Sequence, residues 1–113
     1  MTEASDIPEI TPGELKSRLD DGEIPTLVDV REHFERRIAD LPEVGQLRIP
    51  AWEILSRLGD LPRDRPIVLY CRTGSRSAWA TRLMLERGFD GVRNLKGGVI
   101  GWREEVDPTL QAY

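Results

Sequence analysis

The chain has 113 residues, of which 39% are apolar and 32% charged. This is enough for one globular domain with its own hydrophobic core, and it leaves no room for a second domain. A single cysteine and a single histidine exclude an internal disulfide and a closed zinc site, and the net charge of −4 disfavours binding to duplex nucleic acid.

Two features of the sequence bear on the cellular location of the protein: the start of the chain and the longest apolar run. The start, MTEASDIPEI, is polar and acidic and lacks the basic and then apolar order of a signal peptide. Around the middle of the chain the longest apolar run, Ile67 to Cys71, is far shorter than the roughly 20 residues of a membrane helix. We therefore expect a cytoplasmic monomer that binds neither membranes nor nucleic acid.

Charge is unevenly distributed along the sequence. Residues 1–35 carry ten acidic and three basic side chains, a balance of −7. Residues 63–82 carry five arginines and one aspartate, a balance of +4, and they include the only cysteine. A small anion is the ligand that this local excess of positive charge favours.

The first helix is predicted from its capping residues. Thr11 can cap the helix, Pro12 suits its first position, and Glu14 completes a capping box. The helix should reach about Asp21, with Gly22 ending it in the left-handed conformation.

The remaining elements alternate between strands and helices. Both faces of residues 26–30 are apolar, as in a buried parallel strand. There follow a short helix over 31–38, a helix over 51–58 indicated by the spacing of Trp52, Leu55 and Leu58, a strand over 67–70, a helix over 77–87, a strand over 92–95 and a helix over 99–106. This order predicts a single α/β domain over 1–113, with a core of about 9–107 and a mostly parallel central sheet carrying helices on both faces.

The segment after the 67–70 strand has the composition of an anion-binding loop. It consists of Cys71, Arg72, Thr73, Gly74, Ser75, Arg76 and Ser77, and it contains no carboxylate. Gly74 permits a backbone conformation that other residues avoid, and the small side chains beside it let successive amides point toward one bound anion. We call residues 71–77 the Cys71 loop.

Cys71 is the candidate nucleophile. Inward amides, a helix N-terminus and two guanidinium groups should favour its thiolate form at neutral pH, without a histidine base. A lone cysteine at a strand end is otherwise commonly a small buried hydrophobe. That role gains nothing from the arginines at positions 72 and 76, so a functional loop is the stronger interpretation.

Three segments together resemble the rhodanese-like sulfurtransferases, over nearly the whole chain. They are residues 27–32 (LVDVRE), 71–77 (CRTGSRS) and 94–102 (NLKGGVIGW). The resemblance implies that Cys71 takes a sulfane sulfur from thiosulfate or a persulfide and passes it to a thiol, cyanide or a sulfur-carrier protein. It implies that residues 72–77 bind the substrate, with the amides of 72–76 on the persulfide and Arg72 and Arg76 attracting the donor's oxygens. No cofactor and no metal are implied.

The sequence also predicts the surroundings of several residues outside the Cys71 loop. Asp29 and Arg31 follow the neighbouring strand, and we expect them to brace the loop or the adjacent backbone. His33 should be exposed, and Trp102 should belong to the core, while Trp79 could line the mouth of the site.

Loop length separates this chain from cysteine phosphatases and arsenate reductases. Their pattern has five residues between the cysteine and an arginine, whereas four residues separate Cys71 from Arg76 here. The tighter ring suits a single sulfur atom better than a tetrahedral oxyanion, although the motif argument leaves the phosphatase alternative open.

Two other regions bear on the resemblance. Between the strands predicted at 26–30 and 67–70 the chain departs from the family, with Arg36 and Asp40 in place of an aromatic residue and a histidine, and with seven residues between Pro42 and Pro50. Residues 102–113 resemble the end of rhodanese domains fused to adenylyltransferases, which pass sulfur to carriers ending in two glycines. A stand-alone sulfurtransferase, a relay module and a domain of a longer protein all remain compatible with this sequence.

Overall fold

The computed structural model describes residues 7–113, so the expectation of a polar start without a signal peptide falls largely on residues 1–6, outside the described part. Its strands are β1 (Glu9–Ile10), β2 (Thr26–Asp29), β3 (Leu47–Arg48), β4 (Ile67–Tyr70) and β5 (Val92–Leu95). Its α-helices are α1 (Pro12–Asp20), α2 (Ser75–Glu86) and α3 (Gly98–Glu105), and two 3₁₀ helices span His33–Arg37 and Ala51–Asp60.

The five strands form one parallel sheet in the order β1-β5-β4-β2-β3. In the centre, Val28 pairs with Leu69 and Asp29 with Tyr70, so β2 and β4 end side by side. The residues that follow these two strands therefore lie at the same edge of the sheet, where ligands bind in open parallel sheets. The predicted α/β architecture is confirmed.

Both faces of the sheet are buried. Along β4, Ile67 and Leu69 belong to a core shared with α2 and the second 3₁₀ helix, while Val68 and Tyr70 belong to a core shared with α1 and α3. Alternate residues of one short strand thus supply two separate cores, which explains the continuous apolar run that predicted a parallel strand. Helices cover both faces, as expected.

Some element boundaries differ from the prediction. Helix α2 begins at Ser75, two residues early, because Gly74 adopts a φ of 102° and leads directly from the loop into the helix. The stretches predicted as helices over 31–38 and 51–58 are 3₁₀ rather than α-helical. Strands β1 and β3 were not predicted, since two-residue strands carry no pattern of their own and form only by pairing with β5 and β2.

The apolar stripe predicted from Trp52, Leu55 and Leu58 is only partly correct, because Leu58 alone of the three packs against the core. Ile54 is buried and Ala51 packs beside it, while Trp52 and Leu55 are exposed. A 3₁₀ helix has three residues per turn, which places Ala51 and Ile54 on the side that meets the core, while the row of Trp52, Leu55 and Leu58 reaches the core only at Leu58. Within residues 7–113, no helix is both long enough and apolar enough to cross a bilayer.

Candidate active site

Cys71 directly follows β4, and its side chain is fully buried. Its Sγ atom accepts hydrogen bonds from the amide of Gly74 at 3.1 Å, the amide of Ser77 at 3.4 Å and the hydroxyl of Ser77 at 3.4 Å. The N-terminus of α2, which begins at Ser75, adds the positive end of its dipole. Three hydrogen-bond donors and a helix N-terminus thus converge on this sulfur.

The first turn of helix α3 binds the backbone of the Cys71 loop through two hydrogen bonds. The amide of Val99 donates to the carbonyl of Cys71 at 2.9 Å, and the amide of Ile100 donates to the carbonyl of Arg72 at 3.0 Å. Since the C=O and N–H of a planar trans peptide point in opposite directions, these bonds turn the amides of residues 72 and 73 away from α3. The carbonyls of the loop are thereby kept apart from the anion-binding side.

Gly98 is the residue that allows this close approach. A Cβ atom at this position would lie 2.3 Å from the carbonyl oxygen of Cys71 and 2.6 Å from that of Arg72, and the φ of Gly98 is +60°. Both the space and the conformation therefore require glycine. On the adjacent strand β5, the buried Asn94 donates from Nδ2 to the carbonyl of Gly74 at 3.2 Å, which fixes the middle of the loop.

The two loop arginines have different surroundings. Arg76 forms a two-pronged ion pair with Glu35, with distances of 2.8 Å and 3.0 Å between guanidinium nitrogens and carboxylate oxygens. Arg72 is exposed and lies over the ring of Tyr113, with 5.2 Å between its Cζ and the ring centroid. The charge of Arg76 is thus balanced by a carboxylate that the loop sequence does not contain, while attraction of a donor by the two arginines stays a prediction.

Glu35 is ionised at any physiological pH. Burial acts to raise the pKa of its carboxyl group, but hydrogen bonds from Arg76 and from the amide of Glu32 outweigh it and hold the pKa at about 2. The pKa of Arg76 is raised in turn by its hydrogen bonds to Glu35. The pair therefore keeps both charges at the edge of the site.

Asp29 and Arg31 form a buried charge cluster beside the loop. Arg31 binds both carboxylate oxygens of Asp29, at 2.8 Å and 3.0 Å, and also reaches Asp40 at 2.9 Å. Arg48 joins the two aspartates from the other side, at 2.7 Å and 2.8 Å. We call these four residues the Arg31 cluster.

The remaining N–H groups of Arg31 lead away from the Arg31 cluster. Nη1 donates to the carbonyl of Ala39 and to the phenol oxygen of Tyr113, each at 2.8 Å. The phenol donates to Glu35 at 3.1 Å, and Glu35 binds Arg76. The cluster is thus connected to the Cys71 loop through Tyr113 and Glu35.

The other predicted site residues divide by burial. Thr73 and Ser75 are exposed, while Gly74 and Ser77 are buried against the sulfur. Sequence reasoning assigned no role at the site to Glu35, Asn94, Gly98 and Tyr113. A buried asparagine in an apolar strand and the glycine pair at 97–98 were visible signals, whereas nothing in the local sequence around Tyr113 pointed to the loop.

Exposed aromatic side chains follow three neighbouring strands at the edge where Cys71 lies. Phe34 after β2, Trp52 after β3 and Trp79 in α2 after β4 are 64%, 72% and 50% exposed. His33 is exposed and Trp102 is buried, as expected. This edge therefore presents apolar surface beside a buried thiol.

Comparison with known proteins agrees with this geometry. The model of the rhodanese-like domain family matches residues 11–105. A sulfurtransferase of Allochromatium vinosum is 38% identical over 102 residues, covering 90% of this chain and 94% of its own length. The probable adenylyltransferase/sulfurtransferase MoeZ of Mycobacterium tuberculosis is 40% identical over 106 residues, which are 92% of this chain but only 26% of MoeZ.

A solved structure shows the same fold. The human single-domain sulfurtransferase TSTD1 superposes with a TM-score of 0.76 at 29% identity, covering 87% of this chain and 96% of TSTD1. The family match spans most of the residues described above, including β2, the Cys71 loop and α3. The chain therefore belongs to the rhodanese-like domain family, a membership that supports sulfur transfer as its general chemistry.

Proposed function

We propose that this protein is a sulfurtransferase in which Cys71 accepts a sulfane sulfur from thiosulfate or a persulfide and passes it to a thiophilic acceptor. The observation that carries the proposal is the convergence of two amides and one hydroxyl on Cys71 Sγ. Such donors compensate a sulfur anion without supplying a proton-accepting base, which fits a thiolate nucleophile better than a buried hydrophobic cysteine.

The reaction is a two-step exchange at one sulfur. With thiosulfate, the Cys71 thiolate attacks the outer sulfur, the S–S bond of the donor breaks, and sulfite leaves with the bonding electron pair. The acceptor then attacks the outer sulfur of the resulting persulfide, and the electron pair of the Cys71 S–S bond returns to Sγ as thiolate. Donor and acceptor bind in turn, which is ping-pong covalent catalysis.

Within the loop, the proposed roles follow the observed surroundings. Gly74 and Ser77 hold the sulfur, Thr73 and Ser75 border it, and the exposed Arg72 meets the anionic end of the donor. Arg76 stabilises the loop through Glu35 rather than by offering free charge. Asp29 and Arg31 act as supports, one contact further away.

The test is sulfur loading of the single thiol. Incubation with thiosulfate, or with a small persulfide donor, should add the mass of one sulfur atom to the protein, and cyanide should remove it. Cys71→Ser should gain no mass, and Ser56→Ala, a change on the second 3₁₀ helix, should load like the unaltered chain. An unchanged mass of the unaltered chain with both donors contradicts the proposal. Turnover of an aryl phosphate that is lost in Cys71→Ser would instead favour phosphatase chemistry.

The exposed aromatic residues favour a second candidate, in which the acceptor is a protein and the chain serves as a relay. Solvent-exposed Phe34, Trp52 and Trp79 stand on the edge that carries Cys71, and tryptophan is enriched in the centres of protein interfaces. A relay predicts that Trp52→Ala slows sulfur exchange with a carrier protein about tenfold or more while leaving cyanide turnover unchanged. Ile24→Ala, at the opposite edge before β2, is the matched control; equal effects of the two substitutions would remove the support.

A further inference from the structure

Tyr113 contacts the surroundings of both loop arginines at once. Its ring lies under the Arg72 guanidinium, with 5.2 Å from Cζ to the ring centroid. Its phenol oxygen accepts a hydrogen bond from Arg31 Nη1 at 2.8 Å and donates to Glu35 Oε1 at 3.1 Å. Glu35 in turn holds Arg76 by two hydrogen bonds. One side chain is therefore placed to orient the charged side chains on both sides of Cys71.

The position of Tyr113 is itself fixed by packing. The segment after α3 is tied back by a hydrogen bond of 2.7 Å from Arg103 Nε to the carbonyl of Leu110. Leu110 and Tyr113 both pack against the core that α1 and α3 form on the sheet. The segment thereby brings the phenol to Arg31 and Glu35.

The phenol also completes the hydrogen bonding of a buried cation. Arg31 has five N–H groups, which are satisfied by Asp29, Asp40, the carbonyl of Ala39 and Tyr113. Burial raises the pKa of the Tyr113 phenol, so it keeps its proton and can donate to Glu35 at physiological pH. The phenol oxygen of Tyr113 therefore accepts a hydrogen bond from Arg31 and donates one to Glu35 at the same time.

We propose that Tyr113 is a positioning residue for anion recognition at Cys71: its ring holds Arg72 at the mouth of the site, and its phenol holds Glu35 and thereby Arg76. This inference deepens the proposed function and rests on it where the donor is concerned. A free arginine side chain would have to give up rotamer freedom when an anion binds, and stacking on a fixed ring removes part of that cost beforehand. The positive field at the thiol should therefore depend on a residue 42 positions away in the sequence.

A pair of alkylating reagents tests this without any sulfur transfer. Iodoacetate and iodoacetamide have nearly the same size, and each reacts with the single thiolate to form a thioether and release iodide. They differ in that iodoacetate carries a negative charge. Dividing the iodoacetate rate by the iodoacetamide rate cancels changes in thiolate fraction and in access to Cys71, and leaves the electrostatic attraction of anions.

The expected effects are graded by what each variant removes. Tyr113→Leu, which removes ring and phenol, should lower the rate ratio about 3- to 10-fold. Tyr113→Phe keeps the ring for Arg72 and should lower the ratio by only about twofold. Tyr70→Phe is the matched control, because it removes a buried phenol whose partners are Asp40 at 2.7 Å and Gln46 at 3.3 Å rather than Glu35 or a loop arginine, and should leave the ratio unchanged.

The kinetic measurement makes the link to the donor. In Tyr113→Leu the KM for thiosulfate should rise by the same factor as the rate ratio falls, with kcat changed less than about twofold. A ratio in both Tyr113 variants equal to that of the unaltered chain, or an equal drop in Tyr70→Phe, overturns the inference. If the unaltered chain takes no sulfur from any donor, the proposed function fails while the alkylation ratio still decides whether Tyr113 positions the arginines.

Discussion

The Cys71 loop and the Arg31 cluster lie at the same edge of the sheet and handle charge in opposite ways. In the loop, neutral backbone amides and one hydroxyl surround a buried sulfur, and the charge of Arg76 is balanced by Glu35. In the Arg31 cluster, two arginines and two aspartates pair with one another through short ion pairs away from solvent. The amides of the Cys71 loop can therefore donate hydrogen bonds to an anion that binds and dissociates. The charged groups of the Arg31 cluster are already paired with one another and are not free to bind a ligand.

This difference indicates a division of labour between neighbouring parts of one site. Amides favour an anion without carrying a charge that would itself need a counterion when the site is empty. A network of saturated charges is rigid but costly to disturb, because any missing partner leaves a buried ion. Substitutions in the two regions should therefore differ in size and in what they affect.

The largest effect is expected from removing the central cation of the Arg31 cluster. Arg31→Met removes the buried cation between Asp29 and Asp40 and leaves Arg48 as their remaining arginine partner, and should lower the free energy of unfolding by about 3–5 kcal/mol. Urea denaturation followed by tryptophan fluorescence measures it. Arg57→Met, which breaks an exposed pair with Asp60, is the matched control and should cost less than about 1 kcal/mol. Equal losses in the two variants would mean that the cluster is not a special support.

The second-largest effect is expected where α3 packs against the backbone of the Cys71 loop. Gly98→Ala places a methyl group within 2.6 Å of two loop carbonyls, so α3 or the loop must move. Unfolding free energy should fall by about 2–4 kcal/mol, and sulfur loading of Cys71 should be largely lost. Gly59→Ala, where nothing lies within 4 Å of the added atom, provides the comparison. Normal loading by a stable Gly98→Ala protein would show that the carbonyl contacts to α3 are dispensable.

A pH-dependent effect is expected at the contact between the two regions. The carboxyl group of Glu35 has a pKa of about 2 in the folded protein against an ordinary value of 4.5, so the unfolded chain binds the proton first as pH falls. Its contribution is therefore complete above pH 4.5 and is lost as pH falls toward 2. Glu35→Gln should cost about 1–3 kcal/mol of unfolding free energy at pH 7 and almost nothing near pH 2. Urea titrations at several pH values measure this, and a cost that stays constant with pH would contradict it.

The smallest effect is expected from one side-chain donor within the loop. Ser77→Ala removes the hydroxyl 3.4 Å from Cys71 Sγ but leaves the amides of Gly74 and residue 77 in place. Stability should change by less than about 1 kcal/mol, and the rate of sulfur loading should fall no more than about fivefold. A loss of a hundredfold or more would show that the hydroxyl, rather than the amides, carries the stabilisation of the sulfur anion.

The sequence predicted those features that depend on local residues. The strands at 67–70 and 92–95, the capping box of α1 and the turn of the Cys71 loop from β4 into α2 are each encoded in a few adjacent positions, and the structure has them where they were expected. The 3₁₀ helices differ because an apolar spacing of three or four residues does not distinguish a 3₁₀ helix from an α-helix, and the spacing of Trp52 and Leu55 indicated a buried face that is exposed.

Contacts between distant residues could not be predicted in this way. Glu35 balances Arg76 from 41 positions away, and Tyr113 reaches Arg31 from 82 positions away. Both contacts exist because parallel strands bring the ends of β2 and β4 together and the segment after α3 folds back to the same edge. The loop sequence alone shows two arginines and no acid, and it therefore overstated the free positive charge.

The burial pattern within the Cys71 loop has a practical meaning for protein engineering. Gly74 and Ser77 are buried, and their amides donate hydrogen bonds to Cys71 Sγ. By contrast, Arg72, Thr73 and Ser75 are exposed to solvent. These three outer positions can be randomised together without changing the atoms that hold the sulfur. Under the proposed function, a library built on them would test which donor each variant prefers while Cys71 and its hydrogen-bond donors stay in place.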